Sequence, residues 1–189
     1  DGDLTGSVFG DDSALLVDGV NNKIVGPVDT ASLRTSELTI ALGALAGGTN
    51  QGLTAVAIGG AAGYTDQSTG ALAVGYGAGY TGQGVDTVAV GKSAGRSNQG
   101  VSAVAVGESA GYTTQSANAV ALGFEAGKTT QGNSAVAIGK EAGETTQGTK
   151  AVAIGSLAGK VNQGASAVAI GYNAAEGVTF STTYTSGGE

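Results

Sequence analysis

The chain has 189 residues, 36 of them Gly and one Pro, and contains no His, Cys, Met or Trp. That composition excludes disulfides, thiol chemistry, zinc sites and His-based acid–base catalysis, and no apolar run approaches the roughly 18–20 residues of a membrane-spanning helix. The net charge of −7 gathers at the start, where residues 1–37 carry seven acids against Lys23 and Arg34, so the near-neutral remainder offers no electrostatic footprint for nucleic acid or anionic lipid.

In chain order, residues 1–34 read as a small β cap or connector. Ser7–Phe9, Ala14–Gly19 and Lys23–Gly26 are short strand-forming runs. Turn signals separate them at Gly10-Asp11-Asp12 and Asn21-Asn22. Asp11-Asp12 could ligate a cation, but paired acids in a turn are ordinarily solvated, so no metal is expected. The absence of Met means there is no initiator residue, and a processed product or a part of something longer is expected.

Residues 35–178 are a repeat. Gln51, Gln67, Gln83, Gln99, Gln115, Gln131, Gln147 and Gln163 stand sixteen apart without a slip. A period this short signals a quasi-one-dimensional stack, each unit burying its apolar face against its neighbours. With Gln as position 1, position 6 is Val or Leu, position 7 is always Ala, position 8 is Ile, Val or Leu, and position 9 is Gly. A degenerate first copy, with Ile40, Ala41, Leu42 and Gly43 in those columns, brings the count to nine. The apolar positions lack a 3.6-residue period, and Gly this dense would cost a helix about 1 kcal/mol each. An all-β fold follows: a parallel β-solenoid or β-roll of about nine 16-residue turns. Alternate strand residues point to opposite faces. The expectation from residue size is that positions 6 and 8 form aliphatic columns inside, with the invariant Ala 7 column presented outside as a smooth face for another chain. The Gln column is expected to be a structural amide ladder. Because the core so drawn is thin, side-by-side homo-oligomerisation is expected.

All six aromatics of the array fall in two columns: Tyr76, Phe124 and Tyr172 at position 10, and Tyr64, Tyr80 and Tyr112 at position 14. Exposed rings at corners could stack on sugars of a host glycan; the plainer alternative is packing on a neighbouring chain. Position 15 holds Thr65, Thr81, Ser97, Thr113, Thr129, Thr145 and then Val161. Such a hydroxyl column also occurs on ice-binding solenoids, although hydroxyls commonly just cap β edges. Phosphate-loop and acyltransferase readings lack the Lys and His they need. No catalytic residue, enzyme activity or cofactor is expected. Beyond the array, Val178–Ser186 alternates like a capping strand, and residues 179–189 end as a linker.

The phrase AVAIG followed by an Ala-Gly pair resembles the head repeat of YadA-like trimeric autotransporter adhesins, over Thr35–Val178. That resemblance implies a left-handed parallel β-roll with three chains about one axis; the strict sixteen-residue period and the Gln-Gly corner depart from it. Residues Gly6–Val28, GSVFGDDSALLVDGVNNKIVGPV, resemble a segment of virion structural and tail-fibre proteins of marine cyanophages. Together they imply an extracellular or virion-surface homotrimeric shaft, extensible to a filament. They also imply an attachment role toward host glycan or protein, carried by a tip or by the array itself.

Overall fold

The computed structural model describes residues 39–175 together with two short strands, β1 (Val17–Asp18) and β2 (Lys23–Ile24). The chain divides into two compact units, Asp1–Thr35 and Ser36–Glu189. In the first, β1 and β2 pair antiparallel, Val17 opposite Ile24. The strand expected at Ser7–Phe9, the Asp11-Asp12 turn, the capping strand after Val178 and the terminal linker lie outside the described residues.

The second unit is a parallel β-solenoid built from two sheets. One has nine strands: β3 (Ile40–Leu42), β5 (Val56–Ile58), β7 (Leu72–Val74), β9 (Val88–Val90), β11 (Val104–Val106), β13 (Val120–Leu122), β15 (Val136–Ile138), β17 (Val152–Ile154) and β19 (Val168–Ile170). The other has eight: β4 (Thr49–Gln51), β6 (Thr65–Gln67), β8 (Thr81–Gln83), β10 (Ser97–Gln99), β12 (Thr114–Gln115), β14 (Thr130–Gln131), β16 (Thr145–Gln147) and β18 (Val161–Gln163). We call them the aliphatic and the glutamine sheet. Register follows the sequence period: Ala105 pairs with Ala89 below and Ala121 above, and Gln115 with Gln99 and Gln131. Eight steps at about 4.8 Å give a stack of roughly 40 Å.

Turns join the sheets, closed by hydrogen bonds from the position-5 amide to the position-2 carbonyl (Ala103 N to Gly100 O, 3.1 Å) and from position 12 to position 9 (Ala110 N to Gly107 O, 3.3 Å). Their third residues take positive φ, as at Ser102 (56°) and Ser109 (56°), which aims each amide along the axis. Ser102 N accordingly donates to Val85 O and Ser109 N to Lys92 O, both at 2.9 Å. The corners are therefore hydrogen-bonded from coil to coil like the strands, which compensates the strain of left-handed backbone at non-Gly residues. Position 9 admits only Gly. At Gly107 φ is 129°, and a Cβ there would sit 2.5 Å from the carbonyl oxygen of Gly123.

One expectation is overturned: the inside and the outside are exchanged. Position 7 is the core, with Ala57, Ala73, Ala89, Ala105, Ala121, Ala137 and Ala153 at 0% exposure, packed against the position-12 alanines. The position-6 and position-8 aliphatics point outward, half-buried in the middle coils and more open at the ends (Leu42 54%, Ile170 65%). The reason is spacing. The two sheets approach so closely that a Cβ on Gly111, at position 13, would lie 2.8 Å from Gln115 Oε1 and 3.2 Å from the Ala105 Cβ. Val or Ile cannot fit in that gap. The interior accepts alanine, glycine backbone and one flat amide per coil.

Candidate functional site

The glutamine column fills the rest of the interior. Gln67, Gln83, Gln99, Gln115, Gln131, Gln147 and Gln163 are buried, and Gln51 is half-buried. A buried primary amide must find partners for its donors and its acceptor, and the coil supplies them. Gln115 Nε2 donates to Val104 O at 2.7 Å, Ala119 O at 3.3 Å and Gln131 Oε1 at 3.1 Å. Its own Oε1 accepts from Gln99 Nε2 at 3.1 Å. Each glutamine ties the glutamine sheet to the aliphatic strand one coil below, and Gln115 also to its neighbour above. The chain of amides runs from Gln99 to Gln163, with a separate link from Gln51 to Gln67. Around Gln83 it is interrupted, leaving Gln83 Oε1 and Gln99 Oε1 buried without partners. The interruption coincides with Thr87, which stands at position 5 where the other complete coils have Ala. Its buried hydroxyl donates to Gly84 O at 2.9 Å.

The two aromatic columns have different fates. At position 14 the rings are consumed by one another. Tyr64 and Tyr80 stack with centroids 5.1 Å apart, and the Arg96 guanidinium lies 5.0 Å from the Tyr80 ring and 5.6 Å from the Tyr112 ring. Gly48 lies against the other side of Tyr64, where a Cβ would be 2.7 Å from the ring. This is a π and cation–π ladder along the axis, with the Tyr80 face committed on both sides. Tyr76, Phe124 and Tyr172 at position 10 are open by contrast, at 67%, 43% and 79% exposure, and about 14 Å separates each from the next along the axis.

Charges gather at the same corner in the upper coils. Lys160 bonds Glu141 at 2.7 Å and approaches Glu144 at 3.5 Å, and Lys140 approaches Glu141 at 3.3 Å. Lys128 bonds Glu125 at 2.8 Å. The bond from Lys160, then that from Lys140, holds the Glu141 carboxyl below its ordinary value. The bond to Glu141 raises Lys160, and that to Glu125 raises Lys128. The position-15 hydroxyls alternate with position-16 residues, of which Asp66, Asn98, Thr130, Thr146 and Asn162 are exposed, so the outer side of the glutamine sheet is polar. Among the described residues no cluster of three or more His, Cys, Asp or Glu could hold a metal, and no helix is long and apolar enough to cross a membrane.

Sequence reasoning missed the outward aliphatic strip, the Arg96 sandwich and the Thr87 interruption. Arg96 shares its column with three tyrosines and Thr87 breaks a run of alanines, so both signals were present in the period. No protein-family model, curated protein or solved structure matches the chain.

Proposed function

We propose that this chain is the structural shaft of a phage tail fibre or a comparable extracellular appendage, a rigid homotrimeric rod that holds an attachment tip away from a particle. The observation that carries this reading is the unbroken coil-on-coil register of both sheets from Ile40 to Ile170. Axial hydrogen bonds in strands, corners and interior amides make such a stack resist bending and local unfolding. Stiffness and length are the properties this register supports. Removing residues 67–130, four whole coils, tests it. The rod should shorten by about 19 Å while adsorption of the particle that carries it is kept. Loss of adsorption from that deletion would sink the shaft reading.

The open rings of Tyr76, Phe124 and Tyr172 favour a second reading, in which the array itself contacts a host glycan. Substituting all three by Ala would then abolish adsorption and leave the assembly intact.

A further inference from the structure

The two sheets present opposite chemistry to the outside. Across positions 5–9 of every coil from Thr39 to Gly171 there is no charged residue, and the outward side chains of the aliphatic sheet are Val, Leu and Ile throughout. The outer side of the glutamine sheet carries hydroxyls, amides and the Asp66 carboxylate instead. The aliphatic strip is about 40 Å long and 15–20 Å wide, roughly 600–800 Å². That exceeds the apolar patch an ordinary monomer exposes and matches one side of a standard interface, about 800 Å² per partner.

The edges of the strip say what covers it. Position 10 borders one edge and positions 3–4 the other. In five of the eight complete coils the two edges complement each other in size. Gly60 corresponds to Leu53, Tyr76 to Thr69-Gly70, Phe124 to Ala117, Ser156 to Lys150 and Tyr172 to Ala165. They also complement each other in charge at one coil, where Lys92, which bonds Glu108 of its own chain at 2.9 Å, corresponds to Asp86. A parallel copy rotated about an axis along the rod opposes these two edges at equal height. An antiparallel copy centred on the strip would set position 10 against position 10, placing Glu108 against Glu108. A parallel copy slipped by one coil would set Lys140 against Lys150. Both alternatives face like charges.

We propose that the aliphatic sheet is the interface with a second copy of this chain, docked parallel and in coil-for-coil register, with the position-10 corner of one copy over the position-3 corner of the next. This rests on the homo-oligomeric part of the shaft reading and adds the face, the direction and the register. It also assigns the open rings at position 10 to packing over small residues of the neighbouring copy.

The chain has no Cys, so single cysteines report cleanly. Val74 and Ile138 sit on the third and seventh of the nine strands, equally far from the middle one. In the parallel assembly Val74→Cys crosslinks to itself through a short bis-maleimide, and Ile138→Cys does the same separately. Crosslinking only when the two variants are mixed would mean an antiparallel pair and overturn the proposal. Asp86→Lys and Lys92→Asp should each weaken association about two- to fivefold, as a rim ion pair does, and the double swap should restore it. Failure of that rescue overturns the register. Val106→Asp should give monomers, with the crosslinks as the independent readout if that variant does not fold. A native chain that stays monomeric at tens of micromolar defeats the interface. If small-angle scattering then still shows a rod, the shaft reading survives, and a compact monomer would end both.

Discussion

Replacing Gln115 by Glu changes one nitrogen to oxygen at nearly constant shape, in a side chain at 0% exposure. The Nε2 it removes donates to Val104 O, Ala119 O and Gln131 Oε1 at 2.7, 3.3 and 3.1 Å. A protonated carboxyl can restore one of these and abandons the others, a loss of about 1–2 kcal/mol. An ionised carboxyl restores none and sets a charged oxygen among three oxygen acceptors. The group escapes by holding its proton. A rise of about two units above the usual 4.3 corresponds to roughly 3 kcal/mol at neutral pH, for a total near 4–5 kcal/mol. The direction with pH follows by linkage. Between the unfolded and the raised folded pKa the native chain binds more protons, so stability relative to wild type is best below about pH 4.3 and falls as pH rises toward about 6.5. Urea titrations followed by circular dichroism at a series of pH values, each against wild type, measure it. Gln115→Leu is the control, destabilised by about 2–3 kcal/mol with no pH dependence. A Gln115→Glu chain within about 1 kcal/mol of wild type at neutral pH, or one whose deficit ignores pH, would refute the buried amide ladder.

Thr87→Ala should reconnect the amides around Gln83. Two orphaned acceptors at about 1 kcal/mol or more each, against one lost hydroxyl bond, predict a net gain of about 1 kcal/mol in thermal or urea unfolding. Gly107→Ala combines a φ of 129° with a Cβ 2.5 Å from a neighbouring backbone oxygen, so a loss of at least about 3 kcal/mol is expected. A tolerated alanine there would contradict the coil spacing. Ala105→Val and Val104→Ala separate inside from outside: the first overpacks the core by about 1–3 kcal/mol, and the second costs an isolated chain less than about 1 kcal/mol. The reverse ranking in denaturation of monomeric chains would restore the aliphatic-core arrangement. Glu141 ionises more readily than an isolated carboxyl, so its contribution is present above about pH 4.5 and lost as pH falls through the lower folded value. Lys160 is raised, so its contribution holds below about pH 10.5 and is lost as pH rises past the higher folded value. Glu141→Gln should flatten the acid side of the wild-type stability profile.

The period, the strands and the corners were legible because they depend on residue spacing. Position 9 had to be glycine, positions 6 to 8 had to alternate, and the structure places both as read. What alternation does not supply is the sign of each face. Both faces of the strand are apolar, and the ordinary rule that larger apolar groups go inside chose the wrong one. A better guide lay in the columns themselves. Position 7 never departs from Ala, whereas positions 6 and 8 exchange Val, Leu and Ile freely. A gap of fixed width demands one residue size, and an outer surface tolerates several. The Tyr80–Arg96–Tyr112 sandwich could be placed in one column from the period, but which ring faces remain open needed coordinates.

The exchange of faces changes the energetic logic of the molecule. An alanine core buries little per coil, so the single chain depends heavily on hydrogen bonds along the axis, each of which contributes only about 1 kcal/mol net. The larger apolar side chains, which in a globular domain would make up that deficit, are here left facing outward. Such a chain keeps the geometry of its coils by backbone and amide ladders, and under the proposed interface its larger apolar side chains would act between chains. Stiffness along the rod and adhesion across it are then separable properties. They reside in different columns of the same repeat: substitutions at positions 1, 7, 9 and 13 should act on the first, and those at positions 3, 6, 8 and 10 on the second.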